Sequence, residues 1–168
     1  MRNKKKAGSS QMVRFAEAGK YLAAFLLLVY VVLLLLYSSG STKSFEEVAN
    51  QVDAGVEKEH LVKQNAQAVK RYYGVNSADY EGVLLYTSKD SISPEEILLV
   101  KVKTDRQIQS LRDAIWQRVE SRKDSFENIA PDQVAVLEKA QILVRGRFVF
   151  LIVSQNAQEY SSLFTNSL

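Results

Sequence analysis

Two pairs of adjacent carboxylates, Glu46-Glu47 and Glu95-Glu96, are the groups in this sequence best suited to acid–base chemistry. Hydrolysis of a glycosidic bond needs two carboxyl groups facing each other across a cleft, commonly about 5–10 Å apart. Neighbours in sequence diverge on a helix or a strand, so neither pair meets that demand alone. Glu46 and Glu47 fall in the first turn of an expected helix, where negative charge suits the dipole. Glu95 and Glu96 follow Pro94 at the start of an expected strand, and Glu96 is retained as a candidate functional residue beside a turn-stabilising role. His60 is the only histidine, flanked by Glu57 and Glu59. A metal site needs three or four ligands, so His60 reads as a solvated side chain. Serines are plentiful, but no G-x-S-x-G is present, and a Ser-His-Asp set would have to recruit His60. No glycine-rich phosphate loop occurs. The chain has no cysteine, which excludes disulfides, thiolate chemistry and lipid attachment through a thioether. The reading assigns no catalytic residue, no cofactor and no metal.

A second set is basic. Lys101, Lys103, Arg145 and Arg147 are expected on neighbouring strands, giving a strip suited to anionic wall polymers or lipid headgroups. The plainer alternative is a charged sheet edge that deters pairing with other sheets. Lys101 and Lys103 stand with Glu96 as candidate functional residues.

These groups need a scaffold, and the hydrophobic pattern supplies one over residues 44–168. Ser44 and Glu47 have capping-box spacing ahead of Phe45, Val48 and Val52. Leu61, Val62, Ala66, Val69 and Tyr73 follow at helical spacing, stopped by Gly74. The period then changes. Residues 82–88 and 97–103 are rich in strand formers, with turn residues between them. A long helix is predicted from Asp105 to about Lys123, with Ile108, Leu111, Ile115 and Val119 as its apolar stripe. Pro131 opens a short helix. Residues 141–144 and 147–153 read as a hairpin about Arg145-Gly146, and a last helix runs near Glu159 to Phe164. The expected fold class is α+β: two helices, then a four-stranded antiparallel sheet built from two ββα units. The 147–153 strand is apolar on both faces, which places it centrally and demands cover on both sides. The long helix covers one face; the two N-terminal helices, or a partner, cover the other.

Ahead of this domain, residues 21–37 carry no charge and no amide. At about 1.5 Å per residue they span roughly 25 Å, with Lys20 and Ser38 to Gly40 suited to the interfaces. Residues 1–20 hold six basic side chains and one acidic, against 16 basic and 18 acidic in 41–168. The positive-inside rule then gives a basic cytoplasmic tail over 1–20, a membrane-spanning signal anchor over 21–37 in the lipid bilayer, and a linker over 38–43. The 44–168 domain is expected outside the cytoplasm, making this a single-pass protein of the cell membrane. Cleavage by a signal peptidase at Ser38–Gly40 is the alternative. The pI near 9.0 belongs to the tail, so no nucleic-acid partner is implied.

From Pro94 onward the chain resembles the bacterial family catalogued as domain of unknown function 4358. The features are Glu96-Ile97 opening a strand, Phe126 after the long helix, the Pro131 helix, Gly146 in the hairpin and the closing Val153-Ser154. The likeness spans roughly residues 44–165 and is densest over 94–154. It implies an envelope protein of Gram-positive bacteria with no assigned activity; many members are lipoproteins, and this chain lacks the lipobox cysteine. The expected function is a non-enzymatic interaction or accessory module of the cell envelope, its outer domain monomeric. Its expected partner is another envelope protein or an anionic wall polymer. An envelope hydrolase using carboxylates, or a domain binding wall polymer or a small ligand, is the alternative.

Overall fold

A computed structural model of the chain describes residues 19–33 and 43–168. The chain divides into two units, Met1–Ser39 and Gly40–Leu168. In the first, residues 19–33 form helix α1, whose Tyr21, Phe25, Leu27 and Leu33 are exposed. Among the described residues, no helix is long and apolar enough to cross a membrane. That overturns the expected signal anchor over 21–37 and the single-pass membrane localisation. The expectation had counted residues 34–37 into the span, and these lie outside the described residues. The stretch 1–18 and residues 38–42, with the Ser38–Gly40 cleavage alternative, lie outside them too.

The second unit opens with α2 (Phe45–Gly55). Its capping box forms as the spacing predicts: Glu47 N donates to Ser44 Oγ at 3.2 Å and Ser44 N to Glu47 Oε2 at 2.9 Å. The next segment differs from expectation. Leu61–Lys63 form a short strand, β1, and the helix begins only afterwards as α3 (Ala66–Tyr73). Asn65 decides the boundary, because its side chain accepts from Ala68 N at 3.0 Å and caps α3. Gly74, at φ 69°, ends the helix in the left-handed conformation that glycine adopts without strain. After a 3₁₀ turn at Ser77–Asp79 come β2 (Gly82–Ser88), β3 (Glu96–Lys101), α4 (Arg106–Ile129), α5 (Pro131–Glu138), β4 (Gln141–Arg145), β5 (Phe148–Val153) and α6 (Ala157–Ser167).

The sheet is antiparallel throughout and has five strands, in the order β1-β2-β3-β5-β4, not the four expected. The extra strand is β1, which pairs Leu61 with Ser88 and Lys63 with Tyr86 at the edge. The two ββα units sit with β3 and β5 side by side, but their helices go to opposite faces. Leu85, Leu98, Val100, Val149, Leu151 and Val153 pack under α3, α4 and α5. Leu84, Tyr86, Ile97, Leu99, Phe148, Phe150 and Ile152 pack under α2 and α6. Every residue of β3 and β5 is buried, as a central strand apolar on both faces requires. The expected cover of the second face is half right: α2 supplies it, whereas α3 lies with α4 and α6 takes its place. Close approach is built in at Gly82, where a Cβ would stand 2.1 Å from the Phe45 ring.

Phe150 is fully buried and stacks on Phe164 of α6 with ring centroids 4.6 Å apart. Phe150→Ala is expected to lower stability by about 3–5 kcal/mol in denaturant unfolding. Phe150→Asp is expected to leave no folded protein; a folded Asp variant of normal stability would contradict this packing.

Candidate functional site

Glu96 opens β3, yet it is only 2% exposed. Strand alternation puts it on the face of Leu98 and Val100, beneath α3 and α4. Two helices supply its partners. Tyr73, the last residue of α3, donates its hydroxyl to Glu96 Oε1. Arg118, in the middle of α4, donates from Nη2 to Oε2 at 3.0 Å and from Nε to Oε1 at 3.4 Å. This is a two-pronged contact that a lysine could not reproduce. Burial first, and then the Glu96 charge, push the Tyr73 hydroxyl well above its ordinary range, so it stays protonated and donating.

More positive charge gathers here than the carboxylate can balance. Arg122, one turn beyond Arg118, donates from Nη2 to Ser93 O at 3.2 Å, while its buried Nε has no acceptor among the described residues. Burial is the main cause that lowers the Arg122 pKa; the Arg118 charge adds to it and Glu96 opposes it. Arg118 also lies over the Tyr72 ring, 4.4 Å from its centroid, and Arg71 stands 4.8 Å from the same centroid. Beside these groups a shallow recess of about 300 Å³ opens between α3 and α4. Arg71, Tyr72, Tyr73, Gly74, Ala114, Gln117, Arg118 and Ser121 line it. On the inner side, the gap bounded by Pro94, Glu96, Arg118 and Arg122 has no space for a water.

Of the predicted basic strip, two members share one carboxylate and two bind backbone carbonyls. Lys101 is only 7% exposed and pairs with Glu81 at 2.8 Å. Arg147 pairs with the other Glu81 oxygen at 2.7 Å. The Lys101 ammonium is the first cause that holds Glu81 below the usual carboxylate range. Lys103 is exposed and donates to Ala78 O at 2.8 Å, and Arg145 to Val144 O at 3.0 Å. Lys101 belongs to β3, an interior strand, so it guards no sheet edge either.

The remaining carboxylates are engaged separately. Glu95 turns away from Glu96 and accepts from Ser154 Oγ at 2.9 Å. With His60, Ser93, Gln133, Gln155 and Asn156 it lines a recess of about 270 Å³. His60 is exposed in the turn before β1, not on a helix, and no hydrogen bond joins its ring to Glu95 or to a serine among the described residues. Asp53 of α2 takes Lys58, Lys63 and the Tyr86 hydroxyl. Among the described residues, no group of three His, Asp or Glu side chains is placed to hold a metal ion.

The chemical capacity of the Glu96 centre follows. Its oxygens receive one hydroxyl and two guanidinium N–H groups beside a gap with no space for water, so both are already engaged. Sequence reading found Glu96 but missed Arg118, Arg122, Tyr73 and Arg71. The signal was present: Arg118 and Arg122 continue the inward spacing of Leu111 and Ile115, where apolar residues belong.

Two outcomes follow. Arg118→Met, by leaving Glu96 buried and unpaired, is expected to cost about 3–5 kcal/mol in chemical denaturation. The double variant with Glu96→Leu should recover most of that loss. Asp53 is lowered from its ordinary 3.8 to about 2, first by Lys58, then by the Tyr86 hydroxyl and Lys63. Its stabilising contribution is therefore complete above the unfolded value and is lost as pH falls from about 4 towards 2. Asp53→Asn should flatten that part of the thermal-stability profile against pH.

The profile of the family described as domain of unknown function (DUF4358) matches residues 53–154. That is narrower than the 44–165 stretch of resemblance, leaving most of α2 and all of α6 outside it. No curated protein and no solved structure matches the chain. The matched stretch holds Glu96, its two helical partners and the whole five-stranded sheet, and covers well over half of the sequence. The chain therefore belongs to the family known as domain of unknown function 4358.

Proposed function

We propose that the domain is a non-enzymatic interaction or accessory module, in keeping with the cell-envelope setting that the family resemblance implies. The observation that carries this reading is the separation of its acids. Glu95 and Glu96 are held by different partners, Ser154 and Arg118, and Glu81 and Asp53 are engaged by their own cations. Hydrolysis by paired carboxylates needs two that converge on one cleft with room for water. Of the partners expected, the basic strip suited to an anionic wall polymer has two of its four cations, Lys101 and Arg147, engaged by Glu81, which favours another protein.

Complementation tests the reading. Glu95→Gln and His60→Gln alter the recess that holds a carboxylate together with the histidine, without touching the core. Both variants should restore a deletion strain to the wild-type level. Failure of either variant, at unchanged thermal stability, would favour the hydrolase.

A further inference from the structure

We infer that the recess between α3 and α4 binds the phosphate group of a small molecule, with Arg71 and Arg118 as its cationic walls. This goes beyond the proposed role and does not depend on it. Two arginines line the recess and no acid does. Glu96, the carboxylate nearest to them, is turned inward and already holds two Arg118 nitrogens.

Glu96 occupies Nε and Nη2 of Arg118 and leaves Nη1, which has no acceptor among the described residues. The side-chain amide of Gln117 and the hydroxyl of Ser121, on the same helix face, likewise make no hydrogen bond there. Arg71 approaches from the other helix. Donors converging from two elements suit a tetrahedral oxyanion better than a planar carboxylate, which a single guanidinium satisfies.

An exposed arginine ordinarily loses rotamer freedom on binding an anion. Here Arg118 is fixed by Glu96 below and Tyr72 beside it, and Arg71 is fixed by stacking on Tyr72 and by its bond to the Tyr72 hydroxyl at 3.0 Å. Arg71 also offsets the negative end of α3. That role accounts for one cation and leaves its convergence with Arg118 on one ring unexplained. The volume, about 300 Å³, lies at the lower end of small-ligand sites.

Calorimetric titration of the full chain with glycerol 3-phosphate and with inorganic phosphate tests the site. At low salt we expect one saturable site with Kd on the order of 0.1–1 mM. Arg71→Ala should weaken it at least about fivefold, and Arg71→Glu should abolish it. Both changes are at an exposed position, and unchanged thermal midpoints would show that the fold is kept. Liposomes bearing a phosphatidate headgroup form a second arm. Retention on liposomes that Arg71→Glu removes, with no soluble phosphate bound, assigns the group to a lipid; soluble binding alone assigns it to a metabolite. Absence of saturable binding in both arms up to about 10 mM phosphate, or binding that Arg71→Glu leaves unchanged, overturns the assignment.

Discussion

A sheet that is apolar on both faces has to be covered on both faces, and this single requirement organises the molecule. β3 and β5 lie side by side with every side chain buried, so neither can face water in any arrangement of the remaining elements. The helices divide accordingly. α4, with α5 and α3, closes one side, and α2 with α6 closes the other. Gly146, with φ 54°, closes the β4–β5 turn, and the glycine at the start of β2 lets Phe45 of α2 come close to the sheet.

Within that dry interior a carboxylate at the start of β3 has consequences out of proportion to its size. A buried ion pair adds little net stability compared with apolar side chains of the same volume. Its effect is on position. Apolar helix faces can slide over apolar strands at small cost, whereas Glu96 requires donors in particular places and receives them from the end of α3 and the middle of α4. The pair therefore ties three elements together at one point. It also leaves Arg118 with one nitrogen facing outward and Arg122 with a buried N–H lacking an acceptor, so the neighbourhood carries more positive charge than its structural task demands.

How much of this could be read from the sequence depended on whether the signal was local. The alternation in residues 148–153 made both faces apolar, which is a local fact, and the central strand follows from it. The capping box at Ser44 and the glycine stop at Gly74 are local too. β1 was hidden because three residues are too few to establish a period of two, and Leu61 and Val62 happen to extend the helical spacing of Val69 and Tyr73. The exchange of α3 for α6 on the second face could not be read at all: periodicity says that a helix has an apolar stripe, not which side of a sheet the stripe will meet. For the site, Glu96 drew notice as one of a pair of acids, yet its significance lies in two inward-facing arginines more than twenty residues away. Lys101 misled in the opposite way, because a lysine in a strand looks like surface until Glu81, across the β2–β3 pairing, is seen to receive it. The apolar run over 21–37 was plain as composition, but among the described residues no helix is long and apolar enough to cross a membrane.

The side-by-side placement of β3 and β5 sets an order in time. Roughly 45 residues, carrying α4 and α5, separate the end of β3 from the start of β5, and a ribosome needs about 2–9 s to add them. Throughout that interval the first hairpin exists with one bare hydrogen-bonding edge on a strand that is apolar on both faces, the kind of template to which other extended chains add. α4 is the next element made and can shield one face early. The edge itself stays open until the second hairpin is made. Nascent chains of this protein are thus most vulnerable to one another, and most in need of a chaperone, in the seconds before residue 153 clears the exit tunnel.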